Sequence, residues 1–198
     1  MRDYYEELWE QLPQQLEPPH FELRRRFLLG HVRPGDRVLD VGSGSGVFTA
    51  QLADAGADAV GVEIAQAALR RARGAHAGIP FVLAPMDGPL PFEDGDFDVV
   101  WASEVIEHIA DTARWLSEIR RVLRPAGRLL VTTPNHTRAA IALRGLEHYA
   151  DPLSDHLHLY TRRSLRRILE EFGFGDIVLR AAGGPRLSRS LLLASAVR

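Results

Sequence analysis

Neither cysteine nor lysine occurs in these 198 residues, and each absence removes a block of chemistry. Without cysteine there are no disulfides, no thiolate nucleophiles, no cysteine zinc sites and no iron–sulfur clusters. Without lysine there is no Schiff base, no lysine general base and no phosphate-binding loop of the G-x-x-x-x-G-K-[ST] type. All 24 basic residues are therefore arginines, which must also fill every ordinary surface role. Arg24-Arg25-Arg26 and Arg70-Arg71 accordingly read as solvated faces. Long apolar runs are missing too. Met1 to Trp9 is charged and aromatic with no signal-type apolar stretch, and no run reaches membrane-spanning length. Nor is there a surplus of either charge: 24 basic against 26 acidic residues leave a net charge of −2. That balance argues against a chain built to coat nucleic acid or an anionic membrane. With 45% apolar and 25% charged residues, the composition is that of one globular domain over residues 1–198, and the expected location is the cytoplasm.

What is present is alternation. Residues 1–34 read as a helical cap, broken by Pro13, Pro18 and Pro19. Apolar runs suited to buried strands follow at 37–41, 59–62, 80–83, 97–102 and 128–133. Helical stretches at 47–55, 65–73 and 112–123 separate them, and a further helix spans 161–172 with Thr161 as N-cap. Strands near 177–181 and 191–197 are joined without a helix, so they should pair antiparallel. The expectation is an α/β fold with helices on both faces of a mostly parallel sheet.

Val38-Leu39-Asp40-Val41-Gly42-Ser43-Gly44-Ser45-Gly46 runs from the first strand into the first helix after it. Glycines there allow a tight turn and close approach of a ligand to a helix N-terminus. Glu63 ends the second strand, where an acid can accept from both hydroxyls of a ribose, and Asp87 follows the third, within reach of an adenine amino group. A dinucleotide fingerprint requires G-x-G-x-x-G, and Val47 stands where its third glycine belongs. A single-nucleoside ligand fits better, which disfavours a nicotinamide-linked dehydrogenase.

Val38 to Gly46 resembles the first motif of class I S-adenosylmethionine-dependent methyltransferases, Glu63 that family's ribose-binding acid and Met86-Asp87 its adenine-binding pair. Pro91 to Val100 and Leu123 to Leu130 resemble the stretches leading into that family's fourth and fifth strands, with Ala126 where a second glycine is usual. The resemblance covers roughly residues 35–182. It implies a Rossmann-like seven-stranded sheet whose last strand is antiparallel, and S-adenosyl-L-methionine as cofactor. The implied cofactor contacts are Asp40, Gly42, Ser43, Gly44, Glu63, Ile64, Met86, Asp87 and Ser103.

Chemistry beyond the cofactor is carried by Ser103-Glu104-Val105-Ile106-Glu107-His108. On a helix, Glu104, Glu107 and His108 would share one face, with Val105 and Ile106 turned into the core. The ordinary alternative is a solvated helix start with favourable acids. A second cluster holds Asn135-His136 and then Asp155-His156-Leu157-His158, and residues 135–160 read as a lid region over the substrate. His108 or His156 is the expected base, with Glu104 beside them, in methyl transfer to a hydroxyl of a small molecule. Glu104, Glu107, His108 and His156 also form a candidate set for Mg²⁺, Mn²⁺ or Fe²⁺. The Glu-x-x-Glu-His run resembles ubiquinone-biosynthesis O-methyltransferases. With the later Asp-His and Thr-Arg it also resembles small-RNA terminal 2′-O-methyltransferases, although the balanced charge disfavours a nucleic-acid partner. A binding protein that senses the cofactor without catalysis is the remaining alternative.

Overall fold

A computed structural model of the chain describes residues 2–14, 17–86, 88–137, 141–142, 145, 156–184 and 189–198. Two helices, α1 (Arg2–Gln11) and α2 (Phe21–Leu29), precede the sheet. Then come β1 (Arg37–Val41), α3 (Val47–Asp54), β2 (Asp58–Glu63), α4 (Gln66–Ala75), β3 (Phe81–Leu83) and β4 (Phe97–Ser103). A single 3₁₀ turn at Ile106–His108 leads to α5 (Thr112–Val122), β5 (Leu123–Pro134), α6 (Arg162–Glu171), β6 (Gly175–Ala182) and β7 (Leu191–Val197). The helix ends follow local chemistry. Asp111 accepts from the Arg114 amide at 3.0 Å to start α5, and Thr161 and Ser164 cap each other's backbone to start α6.

The seven strands lie in the order β3-β2-β1-β4-β5-β7-β6. Pairing is parallel from β3 through β5, and β7 runs antiparallel to both of its neighbours. Alternation along β4 feeds two cores. Val100 and Ala102 pack with Leu116 and Ile119 of α5, and Val99 and Trp101 pack with Leu28 of α2 and Leu52 of α3. Strand order reverses between β1 and β4, and the crevice beyond the carboxyl ends of such strands is where ligands of open α/β sheets bind. The seven strands and the antiparallel last one are as the sequence and its resemblance imply. β5 begins at Leu123 rather than Arg128, with a register shift against β4 between Phe97 and Val99. Ala126 sits at φ 63°, left-handed backbone that explains why glycine is usual there. Among the described residues, no helix is long and apolar enough to cross a membrane.

Candidate active site

The loop leaving β1 is set by backbone geometry. The Gly42 and Ser43 amides both donate to the Val62 carbonyl, at 2.9 and 3.0 Å, and Gly42, Gly44 and Gly46 all have positive φ. Glu63, at the end of β2, ties this loop to the next helix. Its Oε2 accepts from the Gly44 amide at 3.0 Å, and its Oε1 accepts from Ile64 at 2.7 Å and Ala65 at 3.1 Å. Burial raises the Glu63 carboxyl above its ordinary value, against the pull of those three amides.

Asp40 is fully enclosed in β1 and accepts from the Thr49 hydroxyl at 2.7 Å. Burial pushes it up to about 7 from an ordinary 3.8. The folded chain therefore holds this proton more tightly than the unfolded one. Asp40's contribution to stability is greatest below about pH 4 and falls as pH rises toward 7, by at most about 1.4 kcal/mol per unit. Asp40→Asn keeps an acceptor for Thr49 and removes the titration. Urea unfolding should show a flatter loss of stability between about pH 4.5 and 7.5 in the variant than in the wild type.

A cavity of about 370 Å³ opens at the switch point. Gly42, Ser43, Gly44, Glu63, Ile64 and Met86 line one part of it, and Ser103, Glu104 and His108 line another. Eight of the nine residues expected to contact the cofactor thus border one space or its walls. The ninth, Asp87, lies outside the described residues, as do Asp155 and most of the expected lid. Helix α1 contributes Tyr5, Leu8 and Trp9 to the same cavity.

The expected single helical face of Glu104, Glu107 and His108 does not form. Glu104 takes left-handed backbone at φ 55°, and only Ile106–His108 make a turn of 3₁₀ helix. The adjacent strand explains the separation. Thr132 donates to Glu104 at 3.2 Å and Thr133 to Glu107 at 2.9 Å, and consecutive strand residues point to opposite faces. Glu104 is moreover paired with Arg24 at 3.0 Å. Its carboxylate therefore belongs to the cavity wall and not to the candidate metal group, contrary to expectation. The solvated reading of Arg24 is likewise corrected. This arginine is buried on the inner side of α2, and its second amino group donates to the Ser103 hydroxyl at 3.4 Å. The signal for it was its place in the apolar stripe of α2, three residues after Phe21 and four before Leu28.

Glu107, His108 and His156 do come together, with one donor atom from each lying within 4.8 Å of the others. Glu107 is completely buried rather than solvated, and among the described residues its Oε1 has no hydrogen-bond partner, with His108 Nε2 at 4.0 Å. Burial, and then the charge of Glu104, hold the Glu107 carboxyl well above the carboxylate range. The His108 and His156 rings stand edge to face with centroids 5.2 Å apart. His158, two residues on, braces the loop: its amide donates to the Glu107 carbonyl and its Nε2 to the Ile109 carbonyl, both at 3.0 Å.

A family profile described as a methyltransferase domain matches residues 4–178. A demethylmenaquinone methyltransferase of Corynebacterium kroppenstedtii is 41% identical over 100 residues, covering 50% of this chain and 42% of that protein. A ubiquinone biosynthesis O-methyltransferase of Methylococcus capsulatus is 31% identical over 133 residues, covering 64% and 56%. The chain thus spans about half the length of these curated relatives. Among solved structures, phosphoethanolamine N-methyltransferase 2 of Haemonchus contortus, bound to S-adenosyl-L-methionine, superposes over the whole chain and 57% of its own, with a TM-score of 0.75 and 18% identity. An S-adenosylmethionine-dependent methyltransferase of Archaeoglobus fulgidus also gives 0.75, at 18% identity, over 89% of this chain and 92% of that one.

Proposed function

The chain belongs to the methyltransferase-domain family, and from that premise we propose that it moves the methyl group of S-adenosylmethionine onto a hydroxyl oxygen of a small molecule, with His108 as the base. The observation that carries this reading is one cavity that has an acid and a methionine in one part and a hydroxyl and an imidazole in another. Glu63 and Met86 border the first, and Ser103 and His108 the second. Glu63 would receive the ribose hydroxyls, Met86 the adenine, and the glycine loop the methionine part. Arg24, buried beside Ser103, would receive the methionine carboxylate. In the transfer, the acceptor oxygen attacks the methyl carbon in line and the sulfur keeps the electron pair of the broken bond. The hydroxyl proton passes to His108, whose side chain is only 17% exposed. Relatives named for ubiquinone biosynthesis and for demethylmenaquinone support a small-molecule acceptor.

One observation favours a second reading of the same site, with a divalent ion. A buried carboxylate without a hydrogen-bond partner must keep a proton or meet a cation, and among the described residues Glu107 Oε1 is such an atom. Glu107, His108 and His156 offer one oxygen and two nitrogens, a set suited to Mn²⁺ or Fe²⁺ and less to Mg²⁺. When bound, such an ion would polarise an acceptor hydroxyl.

The test is transfer of labelled methyl from S-adenosylmethionine to a fractionated small-molecule extract, with and without EDTA and with Mn²⁺ restored. Label in a hydroxyl-bearing product is expected. His108→Ala should lower the rate by about 10²- to 10⁴-fold. Full activity in excess EDTA removes the ion. No labelled product from any fraction, with the cofactor still bound, would leave a cofactor sensor.

A further inference from the structure

His136 is not among the residues that line the cavity, and it is buried at 1% exposure. Its Nδ1 is 3.3 Å from the Tyr160 carbonyl, and its Nε2 is 3.2 Å from Nδ1 of His156. We propose that His136 is a positioning residue, which fixes His156 as the Nδ1-protonated tautomer and so makes Nε2 its basic nitrogen. The assignment follows from counting protons. A carbonyl oxygen can only accept, so His136 Nδ1 carries a hydrogen. At 1% exposure the ring has no solvent to carry a charge, so it holds the single hydrogen on Nδ1 and its Nε2 accepts. His156 must then donate from Nδ1. The Tyr160 carbonyl is itself fixed, because it also accepts from the His136 amide at 2.8 Å.

The inference rests on the proposed site, in which His156 stands against His108 with ring centroids 5.2 Å apart. A histidine in the opposite tautomer would present an N–H from Nε2, which can neither take a proton nor ligate an ion. His136 thus sets which ring nitrogen of His156 carries the hydrogen.

Long-range proton–nitrogen correlation spectra of protein labelled with ¹⁵N-histidine read the tautomer directly. They need no methyl acceptor, so a failed transfer assay and a failed inference are separate results. Wild-type His156 should show the Nδ1–H pattern in the presence of S-adenosylhomocysteine. His136→Gln retains an amide oxygen near the position of Nε2 and should preserve it. His136→Phe removes the acceptor, and Nε2–H should become the major form of His156. An Nε2–H pattern in the wild type overturns the proposal whatever the variants do. So does an unchanged pattern in folded His136→Phe.

Discussion

Gly44→Val should abolish binding of S-adenosylmethionine, measured by titration calorimetry, while circular dichroism shows the sheet and helices retained. Gly44 holds φ 55°, and a side chain with a branched β-carbon pays about 1–2 kcal/mol for that conformation alone. The added carbon would also lie 2.8 Å from Cζ2 and 3.0 Å from Cη2 of Trp9, so the indole of α1 would have to leave. Both effects fall on the wall of the cavity, and neither touches the cores on the two faces of the sheet. Normal affinity in the variant would reduce the glycine loop to a structural turn.

Glu63→Ala should weaken cofactor binding by tenfold or more, since each hydrogen bond to a charged acceptor contributes about 1.5–3 kcal/mol. The structure adds a second consequence. Three amides, those of Gly44, Ile64 and Ala65, lose their common acceptor, so the loop loosens before any ligand arrives. Thermal unfolding of the cofactor-free variant should therefore start from a lower midpoint. Glu63→Gln should repair only part of the loss. Its single carbonyl oxygen can serve Ile64 and Ala65, which leaves its own N–H groups facing the Gly44 amide. Affinity equal to the wild type in both variants would displace the ribose from Glu63.

The parts legible in the sequence are those whose causes are local. Apolar runs such as Val38 to Val41 and Val99 to Ala102 declare buried parallel strands, and the glycines at 42 and 44 followed by Glu63 mark where the cavity opens at their carboxyl ends. The missed parts depend on which residues meet across the fold. Whether Glu104 shares a face with Glu107 is decided by Thr132 and Thr133 on β5, and no spacing within residues 103–108 carries that information. Arg24 reads as one of three surface arginines until α2 is laid against the end of β4, where Glu104 supplies its counter-charge. His136 stood beside Asn135 as one more polar residue near the lid, and only its approach to His156 distinguishes it.

Helix α1 buries none of its residues fully, although Tyr5, Leu8 and Trp9 form part of the cavity wall. What fastens it to α4 is peripheral. Arg70 reaches Glu6 and Glu10, each at 3.5 Å, and Arg71 donates to the carbonyls of Leu12 and Pro13. Exposed ion pairs of this kind contribute about 0–1 kcal/mol each. The wall that α1 adds to the cavity therefore rests on weak pairs, together with the Arg71 guanidinium 5.7 Å from the centroid of the Trp9 ring. A ligand resting on the Trp9 indole would be held in part by contacts outside the pocket, and its residence time would then follow the strength of the α1–α4 pairs.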